Sequence, residues 1–256
     1  MQFLVHPKEK LYFAVSLVIS LLVYLALVIS LVGIVYIILG IIVAFIVHGL
    51  FIGAIRGNGI RVSDKQLPEV YRLAQQIAEQ MELKPVPAIY VLQSGGFLNA
   101  FATMFLGRNF VVIYAEVLEL AWEKGESAVA FVISHEFAHI KRRHLNWRWL
   151  LYPAMLIPFL GSAYSRACEY TCDRIAAHYQ PAGAAAGLLV FAAGKKLYRF
   201  VDPEEFSNQA ETERGFWVWL AEVLSTHPNL PKRLRAFKET EAVMRQFPLD
   251  SQSTVK

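Results

Sequence analysis

The chain has 256 residues, 55% of them hydrophobic, and a mean hydropathy of +0.39. That is too apolar for an ordinary soluble domain and points to a membrane protein with a globular part. A formal charge of +4 from scattered Lys and Arg excludes a nucleic-acid-binding stripe, and two cysteines are too few for a secreted disulfide framework.

Leu11 to Ile55 carries no Asp, Glu, Lys or Arg. As one helix it would run about 68 Å, more than twice the roughly 30 Å hydrocarbon core. Two spans fit, over about 11–31 and 34–55, with the turn near Ser30 to Gly33. A signal peptide would hold only about 7–15 apolar residues. Lys8 and Lys10 precede the first span, Arg56, Arg61 and Lys65 follow the second, and the turn is uncharged. The positive-inside rule then puts the N-terminus and the large C-terminal part in the cytoplasm. The expected organisation is a cytoplasmic N-terminus over 1–10, a transmembrane hairpin over 11–56, a globular domain over 57–246 and a flexible tail over 247–256. His48, near the end of the second span, is expected to reach the interface.

Asn58 to Asp64 reads as a polar linker. Leu67 to Leu83 predicts an amphipathic helix, with Val70, Leu73, Ala74, Ile77 and Met81 at helical spacing and Pro85 and Pro87 ending it. Ala88 to Leu92 predicts a buried strand closed by Ser94-Gly95-Gly96. Asn99 to Ala102 and Phe110 to Tyr114 predict two more strands around a turn at Leu106 to Asn109. A helix follows from about Glu126 to Arg143, its start supplied by Glu123 to Ser127. Further helices are predicted over Ser165 to Tyr179, Ala182 to Phe200 and Pro231 to Gln246. Pro203 to Trp219 is polar and aromatic and reads as a cover over a site or a membrane face.

The Glu126–Arg143 helix carries His135-Glu136-Phe137-Ala138-His139, an H-E-x-x-H sequence. Positions i and i+4 share a helical face, so both imidazoles can hold one ion, and Glu136 lies one step round, where it can reach a water. The donor types point to Zn2+, which in catalytic sites takes three protein ligands and keeps one position open. The metzincin pattern would need Gly at position 142 and His at position 145; Arg142 and Leu145 stand there. Glu169 on the later helix is the leading third ligand. Asp173 shares its face and can accept the second ring N–H of a ligand histidine. Because His139 and Glu169 must share an ion, the apolar segment Trp147 to Tyr164 between them should not cross the membrane once, and it is too short to cross twice. It reads as a helix lying against or dipping into the membrane surface, or as a core helix. His144 and His178, each five residues past a site residue, read as outside the site, with His144 at the surface. Cys168 and Cys172 read as small packing residues. Phe216, Trp217 and Trp219 read as core more than as a lipid or substrate sensor.

His135-Glu136-Phe137-Ala138-His139 followed by Glu169 and Asp173 resembles the membrane zinc metalloproteases related to the HtpX heat-shock protease and the CaaX prenyl endopeptidases. Asn99-Ala100-Phe101 resembles the family's edge-strand segment beside the substrate, and Ser225-Thr226-His227-Pro228 with Arg233 resembles its late His-Pro motif. The likeness covers about residues 66–240. It implies an α+β, mainly helical gluzincin: a zincin-like metalloprotease domain with a small sheet, behind the N-terminal transmembrane hairpin. It implies Zn2+ on His135, His139 and Glu169, Glu136 as general base, and Asn99, Ala100 and Phe101 along the substrate. His227 is either the oxyanion donor or a cap for the helix after Pro228. The Trp147–Tyr164 segment is shorter than the hydrophobic region HtpX proteins carry there. The expected function is cleavage of protein or peptide substrates at the cytoplasmic face, in membrane-protein quality control more than in prenyl-protein processing. The alternative is an inactive membrane-anchored binding or regulatory module with a retained metal site.

Overall fold

A computed structural model describes residues 2–93, 95, 99–122 and 125–246, with the side chains of 121–122 and 240–246 left aside. The strand closure expected at Ser94 and Gly96, the part of the helix start at Glu123 and Lys124, and the tail over 247–256 lie outside the described residues.

Two long helices open the chain, α1 (Pro7–Ile29) and α2 (Leu31–Asn58). At ~1.5 Å per residue they measure about 34 and 42 Å, long enough to cross a bilayer. The turn is the single residue Ser30, which ends α1 and caps α2 by accepting a hydrogen bond from the Gly33 amide at 3.3 Å. Gly33 is required by the close approach: a Cβ there would stand 2.2 Å from the Leu27 carbonyl oxygen. Most apolar side chains of the pair point outward, as lipid-facing residues do.

After α2 come β1 (Ile60–Arg61), α3 (Pro68–Gln80), β2 (Ala88–Leu92), β3 (Ala100–Phe105) and β4 (Arg108–Tyr114). The sheet order is β1-β2-β4-β3; β2 runs parallel to β4, and β3 is an antiparallel edge strand whose Ala100 pairs with Ile113. The last turns of α2 cover one sheet face. Ile52 and Ile55 pack with Tyr90, Phe110 and Val112, Phe45 stacks on Phe105, and His48 Nε2 lies 2.9 Å from the Met104 carbonyl oxygen. The hairpin and the globular part therefore share a core.

The other sheet face meets the helical layer: α4 (Ala115–Trp122), which the periodicity did not reveal, and α5 (Glu126–Lys141). Ala128 through Ala138 are all buried, so α5 is enclosed on every side. Past it come α6 (His144–Trp147), α7 (Tyr152–Met155), α8 (Leu160–Tyr179), α9 (Ala184–Leu197), α10 (Pro203–Thr212), α11 (Phe216–Leu224) and α12 (Leu230–Gln246). α9 presses closely on α5: a Cβ on Gly187 would meet the Phe131 ring at 2.5 Å, and one on Gly183, just before α9, would meet the Ser127 carbonyl oxygen at 1.8 Å.

Two expectations need correction. Trp147 to Tyr164 is not one helix. It is the end of α6, turns, the single turn of α7, and a break at Phe159 (φ 69°) before α8 starts. Pro153 opens α7 and Pro158 cannot donate a helical hydrogen bond, so neither continues a helix from upstream. The α11 aromatics are not core: Phe216, Trp217 and Trp219 are 62%, 76% and 54% exposed, and Glu222 is the buried residue of that helix.

Candidate metal centre

The site lies where α5 crosses α8. Its position on an enclosed helix explains why His135 and Glu136 are buried although both are polar. His135 Nε2 stands 3.3 Å from Glu169 Oε2, and His139 Nε2 stands 3.2 Å from Glu169 Oε1. A tetrahedral ion with bonds of ~2.0–2.2 Å separates its donors by about 3.3–3.6 Å. The two imidazoles and the carboxylate thus fit the spacing and donor set of zinc, and all three donor atoms lie within 4.8 Å of one another.

Behind the donors sits a second layer of charge. Asp173 Oδ1 lies 3.0 Å from His135 Nδ1, so the carboxylate fixes the ring with Nε2 toward Glu169. Arg233, buried on α12, grips Asp173 with both arms: Nε donates to Oδ2 at 2.7 Å and Nη2 to Oδ1 at 2.6 Å. Arg233 Nη2 also lies 3.3 Å from Glu169 Oε2. Burial opposes ionisation of both carboxyls, yet the Arg233 guanidinium and the His135 ring hold Glu169 and Asp173 below the usual carboxylate range. Burial likewise opposes a charge on His135, but the Asp173 and Glu169 carboxylates push its pKa up to about 10.

His144 overturns the expectation that it is a surface residue. Its side chain is 8% exposed and its Nδ1 lies 3.1 Å from His139 Nδ1. Helical spacing misleads here because α5 stops at Lys141 and Arg143 takes a left-handed conformation (φ 58°), turning the chain back over His139. His144 Nε2 lies 3.4 Å from Glu9 Oε1, and Arg142 Nη2 donates to the same oxygen at 2.7 Å. A row of side chains thus runs from His139 through His144 to Glu9, the buried carboxylate in the first turn of α1. No motif marks Glu9; only the packing of α1 on α8 brings it there. Cys172 Sγ lies 3.7 Å from His144 Nδ1, and burial raises both thiol pKa values, so Cys168 and Cys172 pack as neutral groups.

The remaining predicted residues flank this centre. Glu136 is buried one step round α5 from His135. His227 stands at the mouth, 62% exposed in its side chain, with Nε2 3.6 Å from Glu169 Oε1 and Nδ1 3.0 Å from Thr226 Oγ1. Ala100 and Phe101 lie on the edge strand β3, which runs beside α5. Asn99 precedes that strand; its Oδ1 accepts from the Ala100 amide at 2.9 Å and its carbonyl oxygen accepts from the Tyr114 amide.

Residues 64–156 and 148–241 match the model of Peptidase family M48. The two matches overlap at 148–156, inside the broken segment between α6 and α8. Over 84 residues the chain is 34% identical to a protein called "Protease HtpX homolog" from Thermodesulfovibrio yellowstonii. That alignment takes in 33% of this chain and spans 28% of the relative's length.

Proposed function

The chain belongs to peptidase family M48, and from that we propose that it is a membrane-anchored zinc endopeptidase acting at the cytoplasmic face, with membrane proteins and peptides as substrates. The convergence of His135, His139 and Glu169 at tetrahedral spacing carries the reading. A zinc ion held there supplies Lewis acidity toward a scissile carbonyl and lowers the pKa of water. Glu136 accepts a proton on its carboxylate from water as the water oxygen bonds to the carbonyl carbon, and returns it to the leaving amine as the C–N bond breaks. His227 Nε2, at the mouth, donates to the carbonyl oxygen as it gains charge. The outer edge of β3, the last strand in the sheet order among the described residues, takes an extended substrate by strand addition at Asn99 and Ala100, with Phe101 alongside. Arg233 and Asp173 hold His135 and Glu169 in place, and His144 with Glu9 holds His139. Quality control suits this chain better than prenyl-protein processing: among the described residues, two helices are long and apolar enough to span.

The experiment is cleavage of casein and of a membrane-protein substrate by the purified full chain with zinc, beside Glu136→Ala. Metal-dependent cleavage that the variant lacks is the expected result. Equal rates for the two would remove Glu136 from the mechanism, and no cleavage by either would favour a binding module.

A further inference from the structure

Residues 147–160 carry Trp147, Trp149, Tyr152, Leu156 and Phe159 on the outside, between 42% and 67% exposed, while Leu151 and Ala154 turn inward. The inward side lies on α1. Leu151, Tyr164 and Cys168 pack with Tyr12, Phe13 and Leu17, and Trp147 meets Phe13 edge-on at 5.5 Å. Farther along, the Ala154 amide donates to Ser20 Oγ at 3.2 Å and Tyr24 Oη donates to the Trp149 carbonyl oxygen at 2.8 Å. Ser20 and Tyr24 lie about 16 and 22 Å beyond Glu9 along the helix axis, well inside the apolar stretch.

Irregular backbone at such depth is tolerated where protein groups satisfy its polar atoms. Ser20 and Tyr24 do this for one amide and one carbonyl in a stretch whose single charged residue is Arg148, near its start. α11 adjoins the same surface. Its C-terminal carbonyls are held by α8, through Ser162 Oγ donating to Val223 and Arg166 Nη1 donating to Glu222, Val223 and Ser225. Its Phe216, Trp217, Trp219 and Leu224 are exposed as well. His227 follows two residues after Ser225.

We infer that residues 147–160 and α11 are immersed in the bilayer that surrounds α1 and α2, the first as a re-entrant loop and the second as a helix lying in the interface. The occupant of this apolar face is lipid, continuous with the lipid around the two long helices. The immersion sets the mouth of the metal centre at the membrane surface, since one short stretch joins α11 to His227. This rests on the reading of α1 and α2 as membrane spans.

The test uses the full chain in phosphatidylcholine vesicles containing a phospholipid with a photoactivatable diazirine in its acyl chain. After irradiation, the labelled residues are mapped by mass spectrometry. Adducts within 147–160 and 216–224, besides those on α1 and α2, are expected. Adducts on α1 and α2 alone would overturn the inference and leave the anchoring intact. Adducts on none of these elements would remove the anchoring reading and the inference with it.

Discussion

His144 Nδ1 lies 3.1 Å from His139 Nδ1, and the opposite nitrogen of His144 faces Glu9 of the first membrane-type helix. An ion held on His139 Nε2, the nitrogen turned toward Glu169, would leave the ring proton on Nδ1, which faces His144. Outer partners of this kind orient a ligand ring and raise its basicity. His144→Phe and Glu9→Gln should each weaken zinc binding by about 10–100-fold. Competition with a chromophoric chelator reads this directly, and affinities within twofold of the parent would detach both residues from the metal.

Glu136 and Glu169 should separate cleanly. Glu136→Ala should keep one zinc per chain and lose turnover by on the order of 10²–10⁴-fold, as expected for loss of a general base. Glu169→Gln should lose the metal. Metal analysis beside peptide hydrolysis distinguishes the two.

Arg233 is the buried cation that balances Asp173 and Glu169. Arg233→Met leaves two buried carboxylates facing one another without it and should cost about 3–5 kcal/mol of stability. Pairing it with Asp173→Asn should restore part of that loss. Thermal unfolding of the metal-free single and double variants checks the order.

Metal uptake should release a proton. In the metal-free protein, carboxylate neighbours raise the His135 pKa from 6.5 to about 10, so the ring is charged at neutral pH. An ion takes the neutral ring. Zinc affinity should therefore rise with pH up to about 10, the raised value for His135. Calorimetry at one pH in two buffers of different ionisation enthalpy should return a positive proton release, and identical heats would contradict the charged ring.

Gly187 admits the Phe131 ring of α5 at a distance no Cβ permits. Gly187→Ala should cost about 1–3 kcal/mol by overpacking. Because α5 must shift to make room, zinc affinity should fall along with the melting temperature.

Much of this protein is set locally and is legible in the chain. Forty-five residues without Asp, Glu, Lys or Arg from Leu11 to Ile55 exceed one membrane crossing, and the helix pair follows from that length, with a turn expected near Ser30 to Gly33 and found at Ser30. His135 and His139 meet because i and i+4 share a face, and Glu169 and Asp173 align for the same reason. Other features depend on contacts across 100 residues or more, which no local period records. Glu9 reaches His144 because α1 packs on α8, and Ser20 and Tyr24 satisfy a broken backbone segment more than 120 residues away. His144 itself was hidden by a left-handed residue at Arg143, where helical spacing ceases to apply. The α11 aromatics look like core by composition, and only the packing turns them outward. The candidate metal donors are a property of helical periodicity, whereas their supports and the exposed apolar residues near them come from how the helices pack.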